Sequence, residues 1–196
     1  MGSWDHPVVG QSFCKRSSPS AVDTSLVAGA VDGHYTIPNY RVRQQIPDDV
    51  AVPVAWLRSV GHTHSAFVVE TMMDEIATST GQDPYAFRRA LLDNAPRLAV
   101  VLDKVVAMAG WKQPLAPGSA GSRRGRGLAV HESFGTYVAQ VDEVTVQGDE
   151  NFSVDRVFCA VDCGTVINPD MVCAQREGGI AFGLGFLQQR NSFSGG

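Results

Sequence analysis

The chain is poor in cysteine and has no surplus of positive charge, and each shortage excludes a class of function. Its 196 residues hold four cysteines, Cys14, Cys159, Cys163 and Cys173, with no CxxC pair among them. A zinc ribbon, a disulfide framework or an iron–sulfur cluster would need cysteines grouped more closely. Lys and Arg number 16 against 20 Asp and Glu, so the net charge of -4 does not favour a nucleic-acid partner.

Long hydrophobic runs are absent as well. No apolar stretch approaches the ~20 residues that cross a bilayer, and the first residues do not form a charged and then apolar leader. These absences predict no membrane partner and a cytoplasmic location, with a periplasmic one open if a longer parent chain carries a leader. What the chain does have is 44% hydrophobic residues, enough for one sizeable core or two small ones.

The apolar pattern changes from helical to strand-like along the chain. In the first half, apolar residues recur at spacings of three and four, which predicts helices over about 58–77, 84–93 and 96–109. Gly81 and the pair Asp83 and Pro84 mark the boundary between the first two. In the second half the pattern predicts strands at 127–134, 137–146 and 155–162, then a helix at about 171–185. The chain is therefore predicted to be α+β, with helices packed on a mixed or antiparallel sheet.

Composition divides the chain into three parts. Residues 1–34 are polar and rich in small side chains, which predicts an extended N-terminal segment. The main domain is predicted over 35–187, with a helical part at 56–110, a linker at 113–127 and a strand-rich part at 127–187. Residues 188–196 lose all periodicity and predict a tail.

Charged residues are predicted to lie in solvent. On the first helix, Val69, Met72, Met73 and Ile76 form the expected buried stripe, whereas Glu70, Asp74 and Glu75 lie off it. In the linker, three arginines stand among Gly and Ser residues, namely Arg123, Arg124 and Arg126. They leave two interpretations open: they grip a phosphate, or they belong to a solvated crossing between the helical and strand-rich parts.

The turn at 58–61, Arg-Ser-Val-Gly, is the first candidate binding site, and we call it the 58–61 turn. Gly61 lacks a Cβ, so the backbone can approach a bound group, and the N–H groups of the helix start can point at it. The positive end of the helix then favours an anion, to which Arg58 can add a charge-assisted bond. The plain alternative is ordinary turn chemistry, with His62 and His64 as polar residues of a first helical turn.

The last predicted helix contains four glycines, at 178, 179, 183 and 185. Each should destabilise a helix by about 1 kcal/mol relative to alanine. A sequence tolerates this cost where another backbone or a ligand packs very close.

Two stretches together resemble the molybdopterin-binding large subunit of the xanthine dehydrogenase/aldehyde oxidase family, and most closely the isoquinoline 1-oxidoreductase beta-subunit type. One is 56–75, which includes the 58–61 turn, and the other is 159–179, which contains Ala-Gln-Arg-Glu-Gly-Gly. The likeness extends over about 4–187. It implies that 35–187 is part of a molybdenum-cofactor-binding domain, and that the chain is an internal fragment of a longer protein.

The resemblance also implies roles for individual residues. Arg58 and Gly61 fall where the family has an Arg-x-x-Gly turn beside the molybdenum and the substrate pocket, with Arg58 on the side of the substrate and the oxo ligand. His62 follows that turn as a candidate cofactor-binding residue, in place of a Gly-Pro-Gln-Gly run found in many members. Gln175 matches a glutamine that hydrogen-bonds the pterin, and Gly178 lies in a helix that packs near it.

The implied activity is oxidative hydroxylation of N-heterocycles or aldehydes with water. The cofactor would be molybdopterin in its cytosine dinucleotide form, and the electrons would pass to a small iron–sulfur subunit. The family's catalytic glutamate, in a downstream Gly-Glu motif, has no counterpart here, so we expect this chain alone to be inactive. Two alternatives stay open: a stable, inactive subdomain, and a metal-dependent hydrolase that uses His62, His64 and His131 with Cys163.

Overall fold

A computed structural model describes residues 2–12, 22–47, 54–119, 121–148 and 151–188. The chain forms two compact units, Met1–Asp162 and Cys163–Gly196. The elements of the first unit are β1 Trp4–Val9, α1 Thr24–Val27, β2 Tyr40–Gln45, α2 His62–Ser79, α3 Pro84–Ala90, α4 Pro96–Met108, β3 Ser122–Ser133, β4 Thr136–Gln147 and β5 Asn151–Asp162. The second unit contains α5, Pro169–Gln188.

The strands form two sheets. β1 and β2 pair in parallel, with Trp4 opposite Tyr40, and β3, β4 and β5 form an antiparallel sheet in that order. The register between β4 and β5 shifts between Glu143 and Val144. Helices therefore combine with both parallel and antiparallel pairing, and the predicted α+β class is confirmed.

The main core lies between α4 and one face of the three-stranded sheet. Every residue of the α4 apolar stripe is buried, as its spacing predicts: Leu98, Val101, Leu102, Val105 and Val106. They pack against buried side chains of the sheet, namely Leu128, Val130, Ala139, Val141 and Ala160. Burying such side chains contributes about 1.5–3 kcal/mol each, so this layer anchors the sheet.

The boundary between α2 and α3 is the predicted one. Gly81 follows α2 with a φ of 65°, in the left-handed region that favours glycine. The Asp83 carboxylate caps α3 by accepting the N–H of Ala86 at 2.9 Å, and Pro84 is the first helical residue. α3 ends at Ala90, three residues before its predicted end, because the chain turns at Leu91.

The predicted linker at 113–127 is wrong in its second half, because β3 begins at Ser122. Arg124 and Arg126 belong to this strand and form ion pairs, with Asp155 at 3.3 Å and with Glu143 at 2.8 Å. Because of these ion pairs, the two arginines belong neither to a solvated crossing nor to a phosphate-binding loop, the two interpretations that the sequence left open. The pairing across the sheet extends β3 into a segment whose composition is typical of a loop.

The two ends of the chain differ in part from their predictions. The segment predicted as extended at 1–34 contains both β1 and the short helix α1. Within the predicted tail, Gln188 still belongs to α5, and 189–196 lie outside the described residues. The predicted domain boundaries stay predictions. In the described part of the chain, no helix is long and apolar enough to span a bilayer.

Candidate functional site

The 58–61 turn has an unusual backbone. Ser59 and Val60 both have positive φ, 71° and 54°. This region is disfavoured for residues with a side chain, above all for a β-branched one such as Val60. Such residues cost roughly 1–3 kcal/mol each and persist only where the surroundings restrain them. Arg58, at the start of the turn, is exposed to solvent.

Gly61 is required by the packing of the chain itself. Its φ is -65°, which any residue adopts. A Cβ at this position would overlap the carbonyl oxygen of Ser25 and lie 3.0 Å from the backbone of Ala28. The missing side chain therefore makes room for α1 and its C-terminal end, which corrects the interpretation that it makes room for a ligand.

The N–H groups at the start of α2 are largely paired within the turn. The N–H of His62 donates to the Ser59 carbonyl at 3.0 Å, and that of Thr63 to the Val60 carbonyl at 3.4 Å. The prediction that these two N–H groups point at a bound group is therefore wrong. The Thr63 hydroxyl donates to the Arg58 carbonyl at 2.6 Å and restrains the turn further.

A cavity of about 250 Å³ opens beside the turn. Its wall includes Trp56, Leu57, Val60, Gly61, Thr63 and His64. Trp56 and Leu57 are 61% and 45% exposed, so much of this wall is apolar and open. The ring of His64 lies at its edge, where its Nε2 is 3.0 Å from the Leu26 carbonyl and donates to it. The cavity is large enough for a small chemical group, with the turn as one wall.

His62 points away from solvent and contacts the sheet. Its Nδ1 lies 2.9 Å from Nε2 of His131, near the end of β3, and the side chain of His62 is buried. One of these two nitrogens must donate a proton and the other accept it. Burial, with further contributions from the neighbouring His62 and His34, lowers the pKa of His131 to about 4. His131 is therefore uncharged at neutral pH.

The alternative of a metal-dependent hydrolase is not supported, because its three candidate histidine ligands bond to other groups of the chain. His64 bonds to a carbonyl, and His62 and His131 bond to each other. In the ranges that the structure describes, no three His, Cys, Asp or Glu side chains are grouped so that they could hold a metal ion.

A buried ionic cluster beside the site was not predicted from the sequence. Glu70 was expected in solvent but is buried, and so is Arg88 of α3, whose Nε donates to Glu70 Oε2 at 2.9 Å. Glu70 also accepts the hydroxyl of Tyr35 at 2.7 Å and the N–H of Val130 at 2.9 Å. The one local signal was the spacing of Glu70 and Asp74, which places both carboxylates on one face of α2 towards Arg88. On the same helix Met72, expected in the core, is 40% exposed.

The charges of this cluster depend on one another. Burial raises the pKa of Glu70, and the guanidinium of Arg88 and the N–H of Val130 limit that rise. Burial opposes the charge of Arg88, but the Glu70 carboxylate overcomes it and raises the Arg88 pKa. The Val130 N–H lies on β3, so Glu70 satisfies a strand donor and ties α2 to the sheet.

The remaining candidate residues belong to the second unit. Gln175 is exposed on α5, and Gly178 and Gly179 follow at i+3 and i+4, on the same face. Apart from the chain neighbours and the nearby backbone of α5 itself, no atom of the described residues lies within 4 Å of the Cβ positions of the four α5 glycines. On that face the side-chain amide of Gln175 lies next to bare backbone. That a ligand or another backbone packs close to the four glycines stays a prediction.

Two family models match the chain, each described as a molybdopterin cofactor-binding domain. One matches residues 12–92, which include the 58–61 turn, α2 and α3. The other matches residues 103–189, which include the three-stranded sheet and α5. Together they account for most of the chain.

Three characterised proteins are similar in sequence. The chain is 40% identical over 151 residues to the beta subunit of isoquinoline 1-oxidoreductase from Brevundimonas diminuta, a match that covers 76% of this chain and 19% of that protein. It is 26% identical over 208 residues to a membrane-bound aldehyde dehydrogenase (pyrroloquinoline-quinone) of Gluconacetobacter polyoxogenes, covering 96% and 27%. It is 29% identical over 142 residues to a nicotinate dehydrogenase subunit of Pseudomonas putida, covering 66% and 12%. The chain thus spans less than a third of the length of each.

Proposed function

We propose that this chain, which belongs to the molybdopterin cofactor-binding domain family, forms one wall of the cofactor site in a larger molybdenum hydroxylase. Membership confirms the resemblance to the molybdopterin-binding subunit of the xanthine dehydrogenase/aldehyde oxidase family, isoquinoline 1-oxidoreductase beta-subunit type. The observation that carries the proposal is the restrained 58–61 turn, which presents an exposed arginine beside an open cavity.

Arg58 is the residue we assign to the reacting side of the site. A guanidinium is planar and permanently charged, and it binds oxygen-rich anions through two parallel hydrogen bonds. The exposed position of Arg58 and the cavity next to it support contact with the cofactor or with a substrate oxygen. In this proposal the strain at Ser59 and Val60 sets the direction in which the Arg58 side chain leaves the backbone.

Gly61 and His62 act in this proposal through the shape of the turn. Gly61 lines the cavity, and its backbone can contact a bound group there even though α1 fills the space on its Cβ side. The ring of His62 bonds to His131, so we assign His62 to the cofactor site by its backbone position.

Gln175 and Gly178 supply the second contact. An exposed amide can donate to and accept from the edge of a pterin, which carries both kinds of group. The bare backbone at Gly178 and Gly179 lets a flat ring approach α5 closely. A side-chain amide beside bare backbone fits the edge and the face of a planar cofactor.

When bound, the molybdenum cofactor supplies two-electron chemistry. The overall reaction replaces a C–H bond of an N-heterocycle or an aldehyde by C–OH with oxygen from water, and it releases two protons and two electrons. We propose that the cofactor carries a cytosine dinucleotide and that a small iron–sulfur subunit accepts the electrons. Two of the relatives are named as subunits, which supports a partner subunit in general.

A second candidate function is a stable subdomain that performs no chemistry alone. The observation that favours it is the core between α4 and the sheet, which the first unit builds from its own residues. This candidate is compatible with the first one, because a wall of a site can fold without catalysing a reaction.

The test is cofactor retention in the full-length parent protein. We expect Gln175→Ala to lower the molybdopterin content at least about tenfold, as loss of a buried hydrogen bond to a ligand does, without changing the melting temperature of the cofactor-free protein. Glu177→Gln, two residues away and exposed, is the matched control and should retain the cofactor. Full cofactor content in Gln175→Ala would remove Gln175 from the site.

A further inference from the structure

We propose that His131 positions the 58–61 turn through its hydrogen bond to His62. Its importance for catalysis rests on the function proposed above, whereas its effect on the turn does not. No contact between His131 and a ligand is implied. His131 lies near the end of β3, 2.9 Å from His62, and His62 directly follows the turn.

The turn needs restraint from more than one side. Ser59 and Val60 are both in the left-handed region, and neither is glycine. On one side, Gly61 packs so closely against the backbone of Ser25 and Ala28 that a Cβ would overlap it. Within the turn, the Thr63 hydroxyl bonds to the Arg58 carbonyl. Neither contact restrains the turn relative to the three-stranded sheet.

His62 supplies the restraint from the sheet. Its Cα and Nδ1 lie 3.1 and 3.0 Å from the position a Cβ would take on Gly29, whose φ is 81°. The centroid of the Phe134 ring lies 5.4 Å from that of the His62 ring. The Nδ1 of His62 has one hydrogen-bond partner among the described residues, His131. Without it, a buried ring nitrogen would be left unpaired, which costs more than the bond itself contributes.

The pair also gives the link a dependence on pH. Two neutral imidazoles, or one neutral and one charged, can share a hydrogen bond, but two imidazolium rings repel each other. Among the described residues, the other titratable groups that face His131 come from three places. They are Asp32, His34 and Tyr35 from the loop after α1, Glu132 from β3, and Glu70 from α2 across a cavity of about 20 Å³. Glu132 pairs with His34 at 3.1 Å, so its charge is partly engaged elsewhere.

The experiment measures amide hydrogen exchange of residues 59–65 in the full 196-residue chain, with α4 amides as the internal reference. His131→Leu removes the bond and keeps an apolar side chain of similar size. His131→Gln keeps an amide group at the position of Nε2. His34→Gln is the matched control, because it breaks the neighbouring pair with Glu132 and does not change the hydrogen bond between His62 and His131.

We expect exchange in 59–65 to rise about tenfold or more in His131→Leu relative to α4, and to stay within about threefold of wild type in His131→Gln and His34→Gln. A His131→Leu protein with unchanged exchange in the turn would overturn the proposal. So would a His131→Gln protein that is as perturbed as His131→Leu, because packing alone would then account for the effect.

A titration of the wild-type chain keeps the proposal testable if His131→Leu does not fold. Between pH 7 and 4, the protection of 59–65 relative to α4 should fall as His131 takes up a proton at its buried position, and His131→Gln should lose this dependence. Protection that does not depend on pH in the wild type would overturn the proposal. In the full-length parent, His131→Leu with a loosened turn but normal cofactor content would instead contradict the function proposed for Arg58.

Discussion

Arg88 and Glu70 form a buried ion pair between α3 and α2, with 2.9 Å between Arg88 Nε and Glu70 Oε2. The exposed fraction of Arg88 is 0%, and its other nitrogens reach the backbone carbonyls of Pro84 and Glu70. Glu70 also satisfies the N–H of Val130 on β3. One carboxylate thus joins two helices and a strand, a little over two turns of α2 beyond the candidate site.

Removing the Glu70 carboxylate should destabilise the protein strongly. We expect Glu70→Ala to lower the free energy of unfolding by about 3–5 kcal/mol, because it removes one of the two carboxylate partners of the buried Arg88 and leaves the N–H of Val130 without its acceptor. Urea unfolding measures this change. The control is Asp103→Asn in the half-exposed pair of Arg89 and Asp103, where the change should stay below about 1 kcal/mol. Equal effects of the two substitutions would contradict the account of the cluster.

Adding a methyl group at Gly61 should also destabilise the fold. The new Cβ would meet backbone atoms of Ser25 and Ala28, which cannot rotate away, so we expect Gly61→Ala to cost about 1–3 kcal/mol. Gly127→Ala, at a β3 position with open space around it, is the control. Thermal unfolding of both variants checks this, and a Gly61→Ala protein as stable as Gly127→Ala would show that α1 does not press on the turn.

Stability should fall as the pH decreases from about 6.5 to about 4. Burial lowers the pKa of His131 from its ordinary 6.5 to about 4, so in this window the unfolded chain binds a proton that the folded chain does not. The contribution of the neutral His131 to the free energy of unfolding is fully present above pH 6.5 and is lost towards pH 4. The free energy of unfolding then changes by up to about 1.4 kcal/mol per pH unit. Denaturant unfolding at several pH values measures it. His131→Gln should reduce the slope, and an identical slope in both proteins would refute this assignment.

The isolated chain should not hydroxylate N-heterocycles or oxidise aldehydes. The resemblance implies a glutamate base for which this sequence has no counterpart, and in our proposal the chain forms one wall of the site. The assay uses an artificial electron acceptor and the chain reconstituted with molybdopterin. Turnover above that of the free cofactor would show that these residues suffice for the reaction.

Local patterns predicted the elements that local physics decides. The α4 stripe and the cap formed by Asp83 and Pro84 depend on neighbours within a few residues, and both are found where the sequence predicts them. The burial of Glu70 depends on Arg88, 18 residues later, and on the backbone of β3, 60 residues later. No periodicity within α2 carries that information.

The turn at 58–61 is found where the sequence predicts it, whereas its role as a binding site stays a prediction. The sequence indicated that Gly61 matters, and the structure shows that its Cβ side faces α1. The start of β3 was missed because Arg124 and Arg126 in a Gly-rich run are typical of a loop. Their partners Asp155 and Glu143 lie on β5 and β4, so no local sequence pattern indicates that these two arginines belong to a strand.

We propose, as the central claim, that the 58–61 turn and the Gln175 face of α5 each contact molybdopterin in the intact enzyme. The most direct test compares amide hydrogen exchange of the full-length parent protein with and without its cofactor. The account predicts that residues 58–63 and 174–180 both gain protection when the cofactor is bound, while α4 does not change. Protection of one segment without the other, or of neither, would contradict it.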